Sequence, residues 1–246
     1  MLPVLQLGPL AIRLPGLFLI AGVWLATMLV EKVSPRQGLP GDALNSMIFY
    51  SLVAGVVGAR LGYVLHFPDV YLADPLVVFS LNTFTLSPTE GLLAGGITAL
   101  VYGRRRGLPF WRALDALTPS LAVMAIAIAL AHVSSGDAFG SPSDLPWAVE
   151  LWGARRHPTQ VFELLAACLL FAYAWKGRER PPIPGYAFLT WATMTALGRV
   201  FLEAFRGDSQ VVFGELRIAQ LAALLLVMAG LWALHLRALA ARAAED

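Results

Sequence analysis

Charged side chains are scarce in this chain. Only 14% of its residues are Asp, Glu, Lys or Arg, against 58% that are hydrophobic, whereas an ordinary soluble domain runs to about 25% charged. That deficit excludes a soluble globular protein and points to a polytopic membrane protein. Net charge is low as well, +2, so the clustered basic face of a nucleic-acid binder is not expected. Cysteine is nearly absent. Cys168 stands alone inside an apolar run, which rules out a disulfide or a cysteine metal centre within one chain and leaves it as a small buried hydrophobe. The four histidines are scattered without ligand spacing, so neither a metal nor another cofactor is expected. The opening stretch, Met1 to Gly16, lacks a basic start and contains three prolines. It is therefore not read as a cleavable signal peptide, and the first apolar run is expected to stay as a membrane helix. Internal repeats and soluble-domain boundaries are missing too, so residues 1–246 are expected to form a single membrane domain, and a transporter built from inverted halves is disfavoured.

Apolar runs are abundant. Against the requirement of about 20 residues for a span, seven are placed: Leu14–Val30, Ala43–His66, Glu90–Tyr102, Ala113–His132, Pro158–Trp175, Gly185–Phe205 and Glu215–Leu236. The expected fold is all-α, with seven transmembrane helices. The third run is short and carries Gly91, Gly95 and Gly96, a pattern that fits either a nearby site or tight packing against another helix. Basic residues then sort by loop. Lys32, Arg36, Arg104, Arg105, Arg106, Arg112, Lys176, Arg178, Arg180, Arg237 and Arg242 make 11 on one side, against 5 on the other (Arg13, Arg155, Arg156, Arg206, Arg217). The N-terminus is thus expected outside and the C-terminus in the cytoplasm, and the Arg104–Arg106 run is read as a topology signal. The outer segments His66–Thr89, which includes Asn82, and Val133–His157 are rich in turn formers and are expected to fold as short caps on the outer face.

A few polar residues interrupt this pattern. In the helix Thr195–Arg206, Arg199 and Glu203 lie four apart on one face and Arg206 follows one turn on. An ionised Arg in hydrocarbon costs about 2.5 to 3.5 kcal/mol, so this face should line a polar cavity. Guanidinium groups there suit a lipid phosphate; a structural Arg–Glu pair between helices is the alternative. Arg60, bracketed by Gly58 and Gly62, is either a second phosphate ligand or a snorkelling side chain. Glu90 is either a helix-start charge or a site acid/base. Asp115, ahead of Pro119, reads as a structural helix-start carboxylate. His132, near Ser134, Ser135, Asp137 and Gly140, is either a base with a neighbouring acid or part of a turn. The stretch Arg155 to Glu163, containing His157, Pro158 and Gln160, combines cations with a helix start and reads as an anion site.

Four stretches together resemble the prolipoprotein diacylglyceryl transferase family: Gly58–Tyr63, Asp115–Pro119, Arg156–Glu163 and Gly198–Arg206. The resemblance implies an enzyme of the bacterial inner membrane. It would move the diacylglyceryl group of phosphatidylglycerol onto the lipobox cysteine thiol of a preprolipoprotein, among membrane lipids and without cofactor. It implies a thiol base drawn from Glu90, His132 and His157. Arg60, Arg199 and Arg206 would then hold the phosphate, with Glu203 bracing Arg199 and with Asp137, Gly140, Gln160 and Glu163 in the substrate-binding set. The chain departs from the family pattern at three places. A usual His-Gly-Gly reads here Glu90-Gly91-Leu92, and a usual Gly-Arg-x-Gly-Asn reads Ile128-Ala129-Leu130-Ala131-His132. A usual first-span Tyr falls at Pro15, while Gly136, Asp137 and Gly140 are kept. Either Glu90 and His132 stand in for the lost pair, or the chain is a paralogue that keeps only a lipid- or lipoprotein-binding role, as a subunit of an envelope complex.

Overall fold

The computed structural model describes residues 4–7, 10–80, 85–177, 179, 181–213 and 216–243. Asn82, Arg178, Arg180 and Glu215 lie outside the described residues. Helices dominate: α1 (Leu14–Val33), α2 (Gly41–His66), α3 (Pro68–Ala73), α4 (Pro88–Arg105), α5 (Phe110–Ser135), α6 (Thr159–Lys176), α7 (Tyr186–Glu203) and α8 (Ile218–Arg242). Three antiparallel hairpins, which the apolar runs did not reveal, join them: β1 (Val4–Leu7) with β2 (Leu10–Arg13), β3 (Val149–Leu151) with β4 (Ala154–Arg156), and β5 (Val211–Phe213) with β6 (Leu216–Arg217).

Among the described residues, four helices are long and apolar enough to cross a membrane: Leu14–Gln37, Gly41–His66, Phe110–Ser135 and Ile218–Arg242. Their outward side chains fit that setting. Val56 is 62% exposed, Leu225 62% and Trp232 66%, a surface that water would penalise and lipid would not. The remaining long helices, α4, α6 and α7, have 18 residues each. At 1.5 Å per residue each reaches only about 27 Å, and each carries glycine or charge.

Successive long helices run antiparallel around α5. Half of its most apolar window is buried, against 11% for α2 and α8, and it packs against α1, α6 and α7. Small residues allow this. A side chain at Gly22 of α1 would run into Ala127 and Met124 of α5, and the Ser120 hydroxyl donates to the Ala26 carbonyl at 2.8 Å. The α2–α4 pair is closer still. A Cβ at Gly91 would sit 2.9 Å from the Gly55 carbonyl oxygen, and one at Gly95 would sit 3.0 Å from that of Ser51. Gly91 and Gly95 of the third apolar run therefore serve helix packing, whereas Gly96 faces open space.

The antiparallel course gathers the basic loops at one end of the bundle, with Lys32, Arg36, Arg104–Arg106 and Lys176. Asp115 is buried there and accepts from the backbone N–H of Gly185 at 2.6 Å and of Phe188 at 3.0 Å. It thus caps the start of α7 rather than of its own helix, filling donors that a helix N-terminus leaves open. Arg237 of α8 closes the same corner, donating to the Pro184 carbonyl at 3.1 Å. Cys168 faces outward from α6, exposed rather than buried as expected, because a lipid-facing helix turns its apolar side out.

Candidate active site

At the other end, α5 finishes, α6 begins and α7 finishes, and their polar residues meet. His132 lies one turn before the end of α5, Glu163 in the opening turns of α6, and Arg199 and Glu203 in the last turns of α7. His132 Nδ1 is 2.9 Å from Glu163 Oε2, and Arg199 Nη1 donates to Glu163 Oε1 at 3.0 Å. Arg199 Nε lies 2.9 Å from Glu203 Oε2. The chain continues outward: Arg206 Nε is 3.9 Å from the same Glu203 oxygen and forms a two-point bridge with Asp208 at 2.9 and 2.8 Å. Ser209 donates its hydroxyl to Glu203, and Arg217 donates to the Glu203 carbonyl.

Glu203 is the keystone, 1% exposed and compensated by two guanidinium groups and a hydroxyl, as a buried carboxylate must be. Burial works against the charge on Arg206, but Asp208 first, and then Glu203 and Glu163, outweigh it and raise its pKa further. Arg206 therefore stays cationic at any working pH.

Two features of this chain leave chemistry open. A carboxylate that accepts from Nδ1–H sets the histidine tautomer and leaves Nε2 with a lone pair. No partner meets His132 Nε2 among the described residues, and the side chain is partly exposed. Arg199 donates one hydrogen bond to Glu163 and holds its Nε in ion-pair contact with Glu203, and its side chain is 38% exposed. Its three other N–H groups have no partner among the described residues.

Loop 136–158 folds over this end and is sewn to the chain after α7. Gly140 bridges Arg206, Ser141 N–H donates to the Phe205 carbonyl at 2.7 Å, and Gly207 N–H donates to that of Phe139 at 2.8 Å. Gly140 is required here, since any Cβ would run into the His157 backbone. Gln160 is buried and donates to the Asp137 carbonyl at 3.1 Å, while the Asp137 side chain is exposed. Arg156 donates to the Gly140 carbonyl at 3.3 Å and lies over the Phe139 ring.

Three expected site residues stand elsewhere. His157 packs its ring edge-on against Phe205, 5.2 Å between centroids, so it belongs to the loop seam rather than to the His132–Glu163 pair. Glu90 takes a hydrogen bond from Ser87 at the start of α4 and lies 3.7 Å from His66 Nε2, a helix-start charge in the α2–α4 pair. Arg60 spends every donor on protein. Nε donates to the Val78 carbonyl at 2.8 Å, Nη2 to the Val77 carbonyl at 2.5 Å and Ser80 Oγ at 2.8 Å, and Nη1 to the carbonyl (2.8 Å) and hydroxyl of Thr85. Arg60 therefore clamps the segment after α2, with all five of its donors on protein groups. Asp208, Ser209 and Arg217 were missed, because a polar run after a helix reads as turn chemistry and its reach back to Glu203 is tertiary. Ala129 is fully buried, so no cation stands at that position.

A helical membrane protein with an acid–base chain at one end of its bundle is the class that fold and site define. Residues 3–236 match the family model described as prolipoprotein diacylglyceryl transferase. The chain belongs to that family. It is 34% identical over 194 residues to a phosphatidylglycerol–prolipoprotein diacylglyceryl transferase of Bordetella parapertussis, covering 74% of this chain and 72% of the relative. A protein of the same name from Parasynechococcus marenigrum is 32% identical, with 93% and 91% covered, and one from Thermus thermophilus is 29% identical, with 94% and 96% covered.

Proposed function

We propose that the chain is a phosphatidylglycerol–prolipoprotein diacylglyceryl transferase whose reaction centre is the His132–Glu163–Arg199–Glu203 chain. In this reading residues 1–246 form one domain of the bacterial inner membrane. Seven spans cross it, with the N-terminus outside, the C-terminus in the cytoplasm and the His132 end facing out. The sorting of basic loops to the opposite end supports this orientation. The observation that carries the chemistry is the pairing of an uncommitted imidazole nitrogen with three uncommitted guanidinium donors in one continuous network.

Phosphatidylglycerol presents its phosphodiester to the outward donors of Arg199, with Arg206 and Glu203 fixing their aim. His132 Nε2 takes the proton from the lipobox cysteine thiol. The thiolate then attacks the glyceryl carbon bearing the phosphate. The S–C bond forms, the C–O bond breaks, and its electron pair leaves on glycerol phosphate. Charge moves in step, because the proton gained by His132 offsets Glu163 and leaves more of the Arg199 charge for the departing phosphate. Asp137, Gly140, Gln160 and His157 hold the loop over this centre, while Arg60 and Glu90 act at a distance as anchors of the α2–α4 side.

The test is purified protein with phosphatidylglycerol and a lipobox peptide, watched by mass spectrometry for the thioether product. Product that depends on His132 and Arg199 is the expected result. No product, where a family member with the complete His-Gly-Gly stretch works, retires the enzymatic reading. The burial of Ala129 and the capture of Glu90 by Ser87 favour the second reading in that case, a lipid- or lipoprotein-binding subunit of an envelope complex. Phospholipid binding without turnover is its signature.

A further inference from the structure

Away from the charged network, an apolar groove of about 470 Å³ runs between α1, α5 and α6. Its floor is the close α1–α5 seam at Gly22 and Ala127, and Phe171 of α6 forms one wall. Along α1 it extends from Phe18 to Lys32, a rise of about 21 Å at 1.5 Å per residue. Every lining residue is apolar except Lys32, which closes the groove at the basic end of the bundle. The Lys32 ammonium lies 5.5 Å from the centroid of the Trp175 ring, and no carboxylate is within ion-pair distance of it among the described residues.

A long apolar slot ending in a cation beside a tryptophan at the basic end of the bundle is complementary in shape and charge to a phospholipid with an anionic head. We propose that the groove seats the acyl chain of an anionic phospholipid from the leaflet at the basic end, with its phosphate on Lys32. This lipid is not the donor in the reaction, which is proposed for the opposite end. An apolar signal-peptide helix fits the slot less well. Its basic leading segment would meet Lys32, Arg36 and Lys176, whereas an anionic phosphate meets complementary charge.

The test measures lipid retained by the purified full-length protein in detergent, using native mass spectrometry with phosphatidylglycerol and phosphatidylcholine of matched chains. The unaltered protein retains one anionic lipid in preference to phosphatidylcholine. Lys32→Gln weakens that retention about fivefold, the worth of one Lys near an anionic headgroup. Leu25→Trp, which fills the groove from a lipid-facing position, removes it, and Arg199→Gln leaves it in place. Thermal midpoints equal to the parent in lipid-free detergent show that both groove variants fold, and the Lys32→Gln arm decides if Leu25→Trp does not. Equal retention of phosphatidylcholine, unchanged retention in Lys32→Gln, or loss in Arg199→Gln alone overturns the proposal.

Discussion

Arg60 and Arg199 are both arginines in apolar helices, near the same end of the bundle, and the protein treats them in opposite ways. Around Arg60, neutral carbonyls and hydroxyls from residues 77–85 take all five donors. Around Arg199, two carboxylates engage two of the nitrogens, and three N–H groups have no partner among the described residues. The first arrangement fixes a loop in place. The second fixes the aim of a cation while keeping its working face open. In the proposed mechanism the two arginines differ in the number of donors still unspent, not in the cost of burying the charge.

The largest effect that sharpens this contrast is expected from Arg199→Gln. Loss of an electrostatic donor at the reacting group should lower thioether formation by about 10³, measured in single-turnover reactions, and the thermal midpoint should fall as well, because Glu203 stays buried with one guanidinium fewer. His132→Gln comes next, at about 10². Its deficit should shrink as pH rises past about 8.5, where a free cysteine ionises without help. A His132→Gln variant with a pH-independent deficit would remove the base from the account.

Arg60→Gln should cost activity only severalfold. Its main effect should be a stability loss of about 1–3 kcal/mol from orphaned carbonyls and faster proteolysis within residues 74–87. The smallest effect is expected from Asp208→Asn. It loosens Arg206 without touching the reacting atoms, so thioether formation should fall by less than tenfold.

The sequence made the membrane class legible, because apolar runs and loop charges need no tertiary information. It also made Arg199, Glu203 and Arg206 legible as one face, since that relation lies within a single helix. The His132–Glu163 pair was only half legible. Both residues stood out, but their meeting depends on the antiparallel packing of α5 and α6. Asp115 reads from sequence as the cap of its own helix and in the structure caps α7 instead, whose amides lie some 70 positions away in sequence. The surroundings of Arg60 were not legible for a related reason: its partners are mainly backbone carbonyls, which no residue identity announces. The hairpins escaped notice because strands of two to four residues carry too little periodicity to register.

The most direct measurement compares Arg199→Gln and Arg60→Gln side by side in single-turnover transfer from phosphatidylglycerol to a lipobox peptide. The account predicts a loss of about 10³ for Arg199→Gln, with Arg60→Gln within severalfold of the parent. Equal losses, or the larger loss at Arg60, would contradict it.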